Sequence, residues 1–243
     1  MISNDYLRTY TTNTLISDSL LLRSMSYEAD LVNRLKQPNE EFESYLERAR
    51  EFADEIKKKE EWLWFILLQS YGTLGNSNGG IIAHEPNMQY SKLASLKPKQ
   101  RKETIRKYSK ENGVRYPNRK TNQIDDAFQF IAKKGGLEAV SATASSLQGR
   151  EEKIEFLLQF KGIGNKYARN AWMDLHDTDF INSIAVDSNI NKILDKLGLS
   201  GKDYLVQERK LVSIAKAAGM SGWELDRILY NFTDSFLSIT QST

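Results

Sequence analysis

Hydrophobic residues recur every three or four positions along most of the 243-residue chain, and this period predicts helices. The clearest such segments are residues 41–59, 123–134, 151–160, 165–175 and 221–232. Trp62–Ser70 is apolar on all sides, which predicts a buried central helix. A weaker apolar patch, Leu15–Leu22, is also expected to be helical. Alternating runs rich in Val, Ile and Thr are absent apart from Ile184–Val186, so we predict an all-α protein.

Composition removes several classes of protein. Hydrophobic residues make up 40% of the chain and charged residues 27%, an ordinary balance for a globular protein. The longest apolar run, Trp62–Leu68, is too short to span a bilayer, and no signal-like segment is visible at the start. We therefore expect a cytoplasmic protein, associated with the nucleoid if it is prokaryotic, with no membrane partner.

The sequence offers few side chains that could bind a metal or take part in redox chemistry. It contains no cysteine and only two histidines, His84 and His176. Disulfides, iron–sulfur clusters and thiolate zinc sites are therefore excluded within it. We expect no metal site and no cofactor.

Positive charge is concentrated locally, although the net charge is only +2. Between Lys97 and Lys110 basic residues are crowded together, with Glu103 as the only acid, and Arg115, Arg119 and Lys120 follow. Such a cluster can neutralise nucleic-acid phosphates. It is also consistent with a solvated helix face.

A glycine turn, Gly162-Ile163-Gly164, joins two of the predicted helices and gives a helical hairpin at about residues 152–176. Glycines tolerate a positive φ, and the free N–H groups at the start of the following helix favour an anion. A DNA phosphate fits that description. Taken alone, the same turn also fits a plain pair of helix caps.

Lys166 and Asp187 carry the candidate chemistry. Lys166 lies in the first turn of the second hairpin helix, where a cation opposes the helix dipole. This favours a role for its amine as a nucleophile. Asp187 stands where a helix N-cap belongs, and a carboxylate held there can stabilise a cationic sugar or act as a base. The alternatives are a lysine that only contacts phosphate and a purely structural cap.

Two segments together carry a family resemblance, Leu157–Ala168 and Ala185–Ile190. They resemble the signature of helix-hairpin-helix DNA glycosylases, Leu-Pro-Gly-Val-Gly-x-Lys-x-Ala followed by Pro-Val-Asp-x-His-Val. Weaker similarities lie in Leu67–Ser70, in Arg119–Ile124 and in Trp223–Tyr230, the last of which looks like the closing helix of 8-oxoguanine glycosylases. Lys161 replaces the usual proline, Asn189 replaces a frequent histidine, and the stretch between lysine and aspartate is longer than usual.

The resemblance implies two helical subdomains with DNA bound across a cleft between them. Residues 1–59 would be N-terminal helices packed on a glycosylase core of residues 60–243. The expected partner is double-stranded DNA with a modified base, which is flipped out of the duplex for base-excision repair. The protein is expected to act as a monomer.

The resemblance also implies a role for each matching residue. Lys166 would displace the damaged base, with oxidised guanine favoured, and cleave the strand through a Schiff base as an AP lyase. Asp187 would assist it. The expected DNA contacts are Gly162, Gly164, Lys161, Arg119, Lys120 and, filling the gap left by the flipped base, Gln69. Two alternatives stay open, a monofunctional glycosylase and a non-catalytic helix-hairpin-helix DNA-binding protein.

Overall fold

The computed structural model describes residues 22–73 and 78–238, and each regular element in those ranges is a helix. The prediction of an all-α fold is confirmed. Apart from Leu22, the weak apolar patch at residues 15–22 lies outside the described residues. None of the described helices combines the length and the apolar character needed to cross a membrane.

The helices are numbered in chain order. They are α1 (residues 22–36), α2 (Glu40–Lys57), α3 (Trp62–Gly72), α4 (Tyr90–Ala94), α5 (Pro98–Glu111), α6 (Pro117–Lys133), α7 (Leu137–Ser146), α8 (Arg150–Leu158), α9 (Asn165–Asp174), α10 (Ser188–Lys196), α11 (Tyr204–Ala218), α12 (Gly222–Asn231) and α13 (Thr233–Leu237). Short 3-10 turns cover Asn78–His84, Pro86–Met88 and Thr178–Phe180.

The chain forms two compact units. One combines Met1–Leu46 with Asn182–Thr243, and the other is the continuous segment Glu47–Ile181. We call them the split unit and the continuous unit. The sequence instead predicts a division into N-terminal helices (residues 1–59) and a glycosylase core (residues 60–243), and that division stays a prediction. The DNA-binding cleft also stays a prediction.

The continuous unit is built around α3. Its apolar side chains from Leu63 to Leu68 are buried on every side, as the sequence predicts. The end of α3 touches the turn Asn78–His84, where a Cβ on Gly72 would lie 2.1 Å from the carbonyl oxygen of Gly79. The two backbones can therefore meet only because neither residue carries a side chain.

A buried ion pair joins α5 to α6. The Asp125 carboxylate is fully buried and accepts a 2.7 Å hydrogen bond from Arg101 Nε. Lys102 Nζ lies 3.4 Å from the other carboxylate oxygen. The Arg101 guanidinium also covers the Phe128 ring at 4.2 Å, so the charge is enclosed by partners on both sides. This ion pair fixes which face of α5 is turned inward.

The split unit has an aromatic core and a well-capped α12. Phe42 packs against Phe232 with ring centroids 4.7 Å apart. Ser221 and Glu224 form a capping box at the start of α12. Trp223 and Asp226 are buried in this unit.

Candidate active site

The helical hairpin lies where the sequence places it. Helices α8 and α9 are joined by the turn at residues 159–164, in which Gly162 has a φ of +91°. Gly164 is the N-cap of α9 in an extended conformation and has no side chain with which to cap the helix. The N–H groups of the first turn of α9 are therefore suited to an anion.

Side chains from α3 and α6 support this turn. The Tyr71 hydroxyl donates a 3.1 Å hydrogen bond to the carbonyl of Lys161. Lys161 Nζ lies 2.9 Å from the Asp126 carboxylate, while most of its side chain stays exposed. The amide of Gln123 lies so close to Gly162 that a Cβ there would be 2.3 Å from its nitrogen. The turn is thus held from one side and open on the other.

Gly162→Ala is expected to lower the free energy of unfolding by about 1–3 kcal/mol, because alanine is strained at a φ of +91°. Gly164→Ala is the matched control, since its φ is −107° and no atom lies within 4 Å of the added Cβ. Urea unfolding of both variants measures the difference. Adding Gln123→Ala to Gly162→Ala should recover only the part of the lost stability that comes from the clash with the Gln123 side chain. The part that comes from backbone strain should remain. Equal stability of the two alanine variants would contradict this account of the turn.

Lys166 lies in the first turn of α9 and is half-buried. Its ammonium is 5.1 Å from the ring centroid of Tyr167. The Tyr167 hydroxyl donates a hydrogen bond to the carbonyl of Thr73, which ties the start of α9 to the end of α3. Ala168, Ala171 and Trp172 are buried in the core. The lysine therefore stands on a rigid helix whose start is anchored.

Asp187 is the N-cap of α10, which confirms the predicted capping position. Its Oδ1 accepts 2.9 Å hydrogen bonds from the backbone N–H groups of Asn189 and Ile190. A carboxylate held by two N–H donors has a fixed orientation. Asp187 belongs to the split unit, whereas Lys166 and the hairpin belong to the continuous unit.

Two buried carboxylates hold the segment that leads into Asp187. Glu208 accepts a hydrogen bond from the N–H of Ile184 at 3.1 Å, and Asp226 accepts one from Ala185 at 2.7 Å. Both acids are almost fully buried. The role of Glu208 was not predicted from the sequence. Its only signal was an acid on the apolar stripe of α11, beside Leu211 and Ile214.

Known proteins resemble the chain in structure rather than in sequence. Neither a family model nor a curated protein sequence matches it. The 8-oxoguanine DNA glycosylase of Methanocaldococcus jannaschii is similar in fold, with a TM-score of 0.63 and 19% identity over 84% of this chain and 94% of that one. That of Thermotoga maritima gives a TM-score of 0.63 and 20% identity over 89% and 100%.

The chain has the fold of the 8-oxoguanine DNA glycosylases. A second structure of the M. jannaschii enzyme holds a 15mer DNA containing 8-oxoguanine, and it matches with a TM-score of 0.61 and 20% identity over 84% of this chain and 96% of that one. The resemblance read from the sequence is therefore confirmed at the level of the fold.

In this glycosylase fold, Gln69 occupies the last turn of α3. Its Nε2 donates a 3.3 Å hydrogen bond to Asp174. Its Oε1 is buried and has no hydrogen-bond partner among the described residues. A buried acceptor without a hydrogen bond lowers the stability of the fold. A movement of the Gln69 side chain that gave Oε1 a donor would therefore be favourable.

Arg119 and Lys120 are neighbours in the sequence but differ in exposure. Arg119 is exposed, with its guanidinium 4.9 Å from the ring of Tyr116, which is itself 62% exposed. Lys120 is only 3% exposed, and its ammonium lies 5.4 Å from the Tyr71 ring. Burial, reinforced by the charge of Arg119, lowers the pKa of Lys120 to about 8. A direct contact of Lys120 with DNA stays a prediction.

Lys120→Met is expected to stabilise the protein at neutral pH. The native pKa of Lys120 lies below its ordinary value of 10.5, so the buried charge lowers the free energy of unfolding by roughly 1–3 kcal/mol below pH 8. Between about pH 8 and 10.5 the unfolded chain keeps a proton that the native chain releases, and stability rises. Thermal melts of both proteins at pH 7 and pH 10 should show the advantage of the variant shrinking. A variant that is less stable at both values would contradict the prediction.

The segment between Lys166 and Asp187, which is longer than usual, contains a turn at Thr178–Phe180 that an ion pair holds in place. Lys153, which is buried, lies between Asp177 and Asp179, with Nζ–O distances of 2.7 and 2.8 Å. Burial opposes the charge of Lys153, but its hydrogen bonds to the two carboxylates outweigh this and raise its pKa. The ion pair fixes the turn Thr178–Phe180 against α8.

Proposed function

We propose that the chain is a DNA glycosylase with AP lyase activity, which removes an oxidised guanine from duplex DNA in base-excision repair. One observation carries the proposal. A lysine stands in the first turn of α9, directly after the Gly162–Gly164 turn, in a chain that has the glycosylase fold. A binding module would need this lysine only as a phosphate contact, whereas a lyase needs its amine as the nucleophile.

The proposed reaction begins with the neutral amine of Lys166. Its nitrogen attacks C1′ of the flipped nucleotide, the glycosidic bond breaks, and the base leaves with a proton. The C1′–O4′ bond of the sugar ring then breaks, the remaining amine proton moves to O4′, and a Schiff base between Lys166 and C1′ results. β-Elimination then removes a proton from C2′ and breaks the C3′–O bond, so the strand is cut on the 3′ side of the lesion.

The proposal gives Asp187 an electrostatic role. A carboxylate stabilises the positive charge that develops on the sugar as the glycosidic bond breaks, and it can accept the proton that the attacking amine loses. The two N–H groups that hold Oδ1 support this role, because they keep the carboxylate from rotating during the reaction. No metal or cofactor is needed for these steps.

The hairpin and the residues around it supply the proposed DNA contacts. The N–H groups of Gly162 and Gly164 would bind a phosphate, beside the exposed ammonium of Lys161. Arg119 would bind a second phosphate, and the exposed ring of Tyr116 would stack on a base. Gln69 would enter the duplex and satisfy its buried oxygen on the base opposite the flipped nucleotide.

The choice of oxidised guanine rests on two likenesses. The two glycosylases similar in fold are named for 8-oxoguanine, and Trp223–Tyr230 looks like the closing helix of such enzymes. We propose that the protein acts on genomic DNA as a monomer.

A panel of duplexes, each with one modified base, tests the proposal. Base release and strand nicking are measured separately on each duplex. We expect both activities on the 8-oxoguanine duplex. Release without nicking indicates a monofunctional glycosylase, and binding with neither activity indicates a non-catalytic DNA-binding protein. Either result would overturn the proposed lyase.

A further inference from the structure

Helix α5 carries a row of cations on its outer side. Lys99, Arg106 and Lys110 are separated by seven and four residues, which places them on one side of a helix. All three are exposed. The row extends over eleven helical steps, from Lys99 to Lys110, and is therefore about 16 Å long. We call these three residues the α5 cation row.

The basic residues of α5 differ in whether they pair with a carboxylate. Arg101 and Lys102 are engaged with the buried Asp125. In contrast, Lys99, Arg106 and Lys110 form no ion pair with any carboxylate in residues 22–73 and 78–238, and Glu103 is the only acid on their side of the helix. The ion pair with Asp125 thus fixes the helix in an orientation that leaves the row facing solvent.

The row leads toward the proposed DNA contacts. Helix α5 ends in a tight turn in which the N–H of Val114 donates a 2.9 Å hydrogen bond to the carbonyl of Ser109. Residues 112–116 then connect it directly to the start of α6, where Tyr116 and Arg119 are exposed. A duplex that contacts Arg119 on α6 is therefore next to the helix that carries the row.

We propose that the α5 cation row binds the phosphate backbone of the duplex beside the lesion, outside the nucleotides that enter the active site. Double-stranded DNA carries one negative charge per about 1.7 Å of its axis, so a 16 Å row of cations faces several phosphates. The outer side of α5 presents no exposed large apolar side chain, which a protein partner or a membrane surface would need. The inference rests on the proposed function in taking DNA as the partner.

The salt dependence of binding tests the row. The variant Lys99→Gln/Arg106→Gln/Lys110→Gln removes it. The matched control Lys202→Gln/Arg209→Gln/Lys216→Gln removes the same charges from exposed positions in the split unit. Affinity for an undamaged duplex is measured at salt concentrations from about 50 to about 200 mM. Each lost phosphate contact lowers the slope of log affinity against log salt by about 0.9, so the row variant should lose about 2–3 and bind at least ~10-fold more weakly at low salt.

The outcomes separate this inference from the proposed function. Equal slopes for the row variant and the control, with tight binding by the unmodified protein, would overturn the row alone. An unmodified protein that shows no salt-dependent duplex binding would overturn both. Circular dichroism and melting temperature show that the variants are folded, which the exposure of the substituted side chains leads us to expect. Loss of slope in the row variant only is the result that supports the inference.

Discussion

Lys166→Gln is expected to abolish both base release and strand nicking on an 8-oxoguanine duplex. Glutamine keeps much of the length and the hydrogen-bonding capacity of lysine but has no nucleophilic amine. Since loss of a covalent nucleophile costs several orders of magnitude in rate, we expect a fall of at least about 10³-fold in single-turnover base release. Quantitative gels, with and without alkali, measure release and nicking.

Lys161→Gln is the matched control for that substitution. Lys161 lies on the same hairpin turn, but its ammonium pairs with Asp126 and most of its side chain is exposed. We expect only a few-fold, salt-dependent loss of DNA affinity. A Lys166→Gln protein that nicks the lesion strand at the rate of the unmodified protein would contradict the assignment of Lys166 as the nucleophile.

Asp187→Asn is expected to slow base release by about 100- to 1,000-fold, the cost of losing an oriented electrostatic group. Asparagine caps helices about as well as aspartate, so α10 should keep its start and the protein its stability. Affinity for the lesion duplex should therefore stay within a few-fold. Single-turnover release at saturating protein isolates the chemical step from binding.

Two further substitutions separate chemistry from capping at this position. Asp187→Ser keeps a capping oxygen without charge, whereas Asp187→Ala loses the cap and about 1 kcal/mol of stability. If the charge matters, all three variants are slow and only the alanine variant is less stable. A purely structural role is indicated by normal rates in the asparagine and serine variants together with a slow alanine variant.

Local signals made most of the helices predictable. The three- to four-residue period of apolar positions marks α2, α6, α8 and α9, and the all-apolar run marks α3 as the buried centre. The position of Asp187 at an N-cap was also local, because the cap depends on N–H groups two and three residues away. A glycine with a positive φ, Gly162, was likewise readable from its place between two periodic segments.

Contacts distant in sequence were not predictable in this way. A basic run gives no sign of which cations are buried, and packing against Tyr71 and Asp125 decides that Lys120 and Arg101 are enclosed while Arg119 is exposed. Nor does periodicity show that Glu208, on an apolar stripe, accepts a hydrogen bond from Ile184, 24 residues away. Such contacts depend on how helices pack, which a local pattern does not contain.

Chemical trapping of the Schiff base tests the central claim most directly. The unmodified protein is mixed with an 8-oxoguanine duplex and sodium borohydride, and the covalent adduct is digested and mapped by tandem mass spectrometry. We predict that the reduced sugar remnant is found on the ε-nitrogen of Lys166. A remnant on Lys161, on another amine, or the absence of any adduct while the strand is still cut would contradict the account.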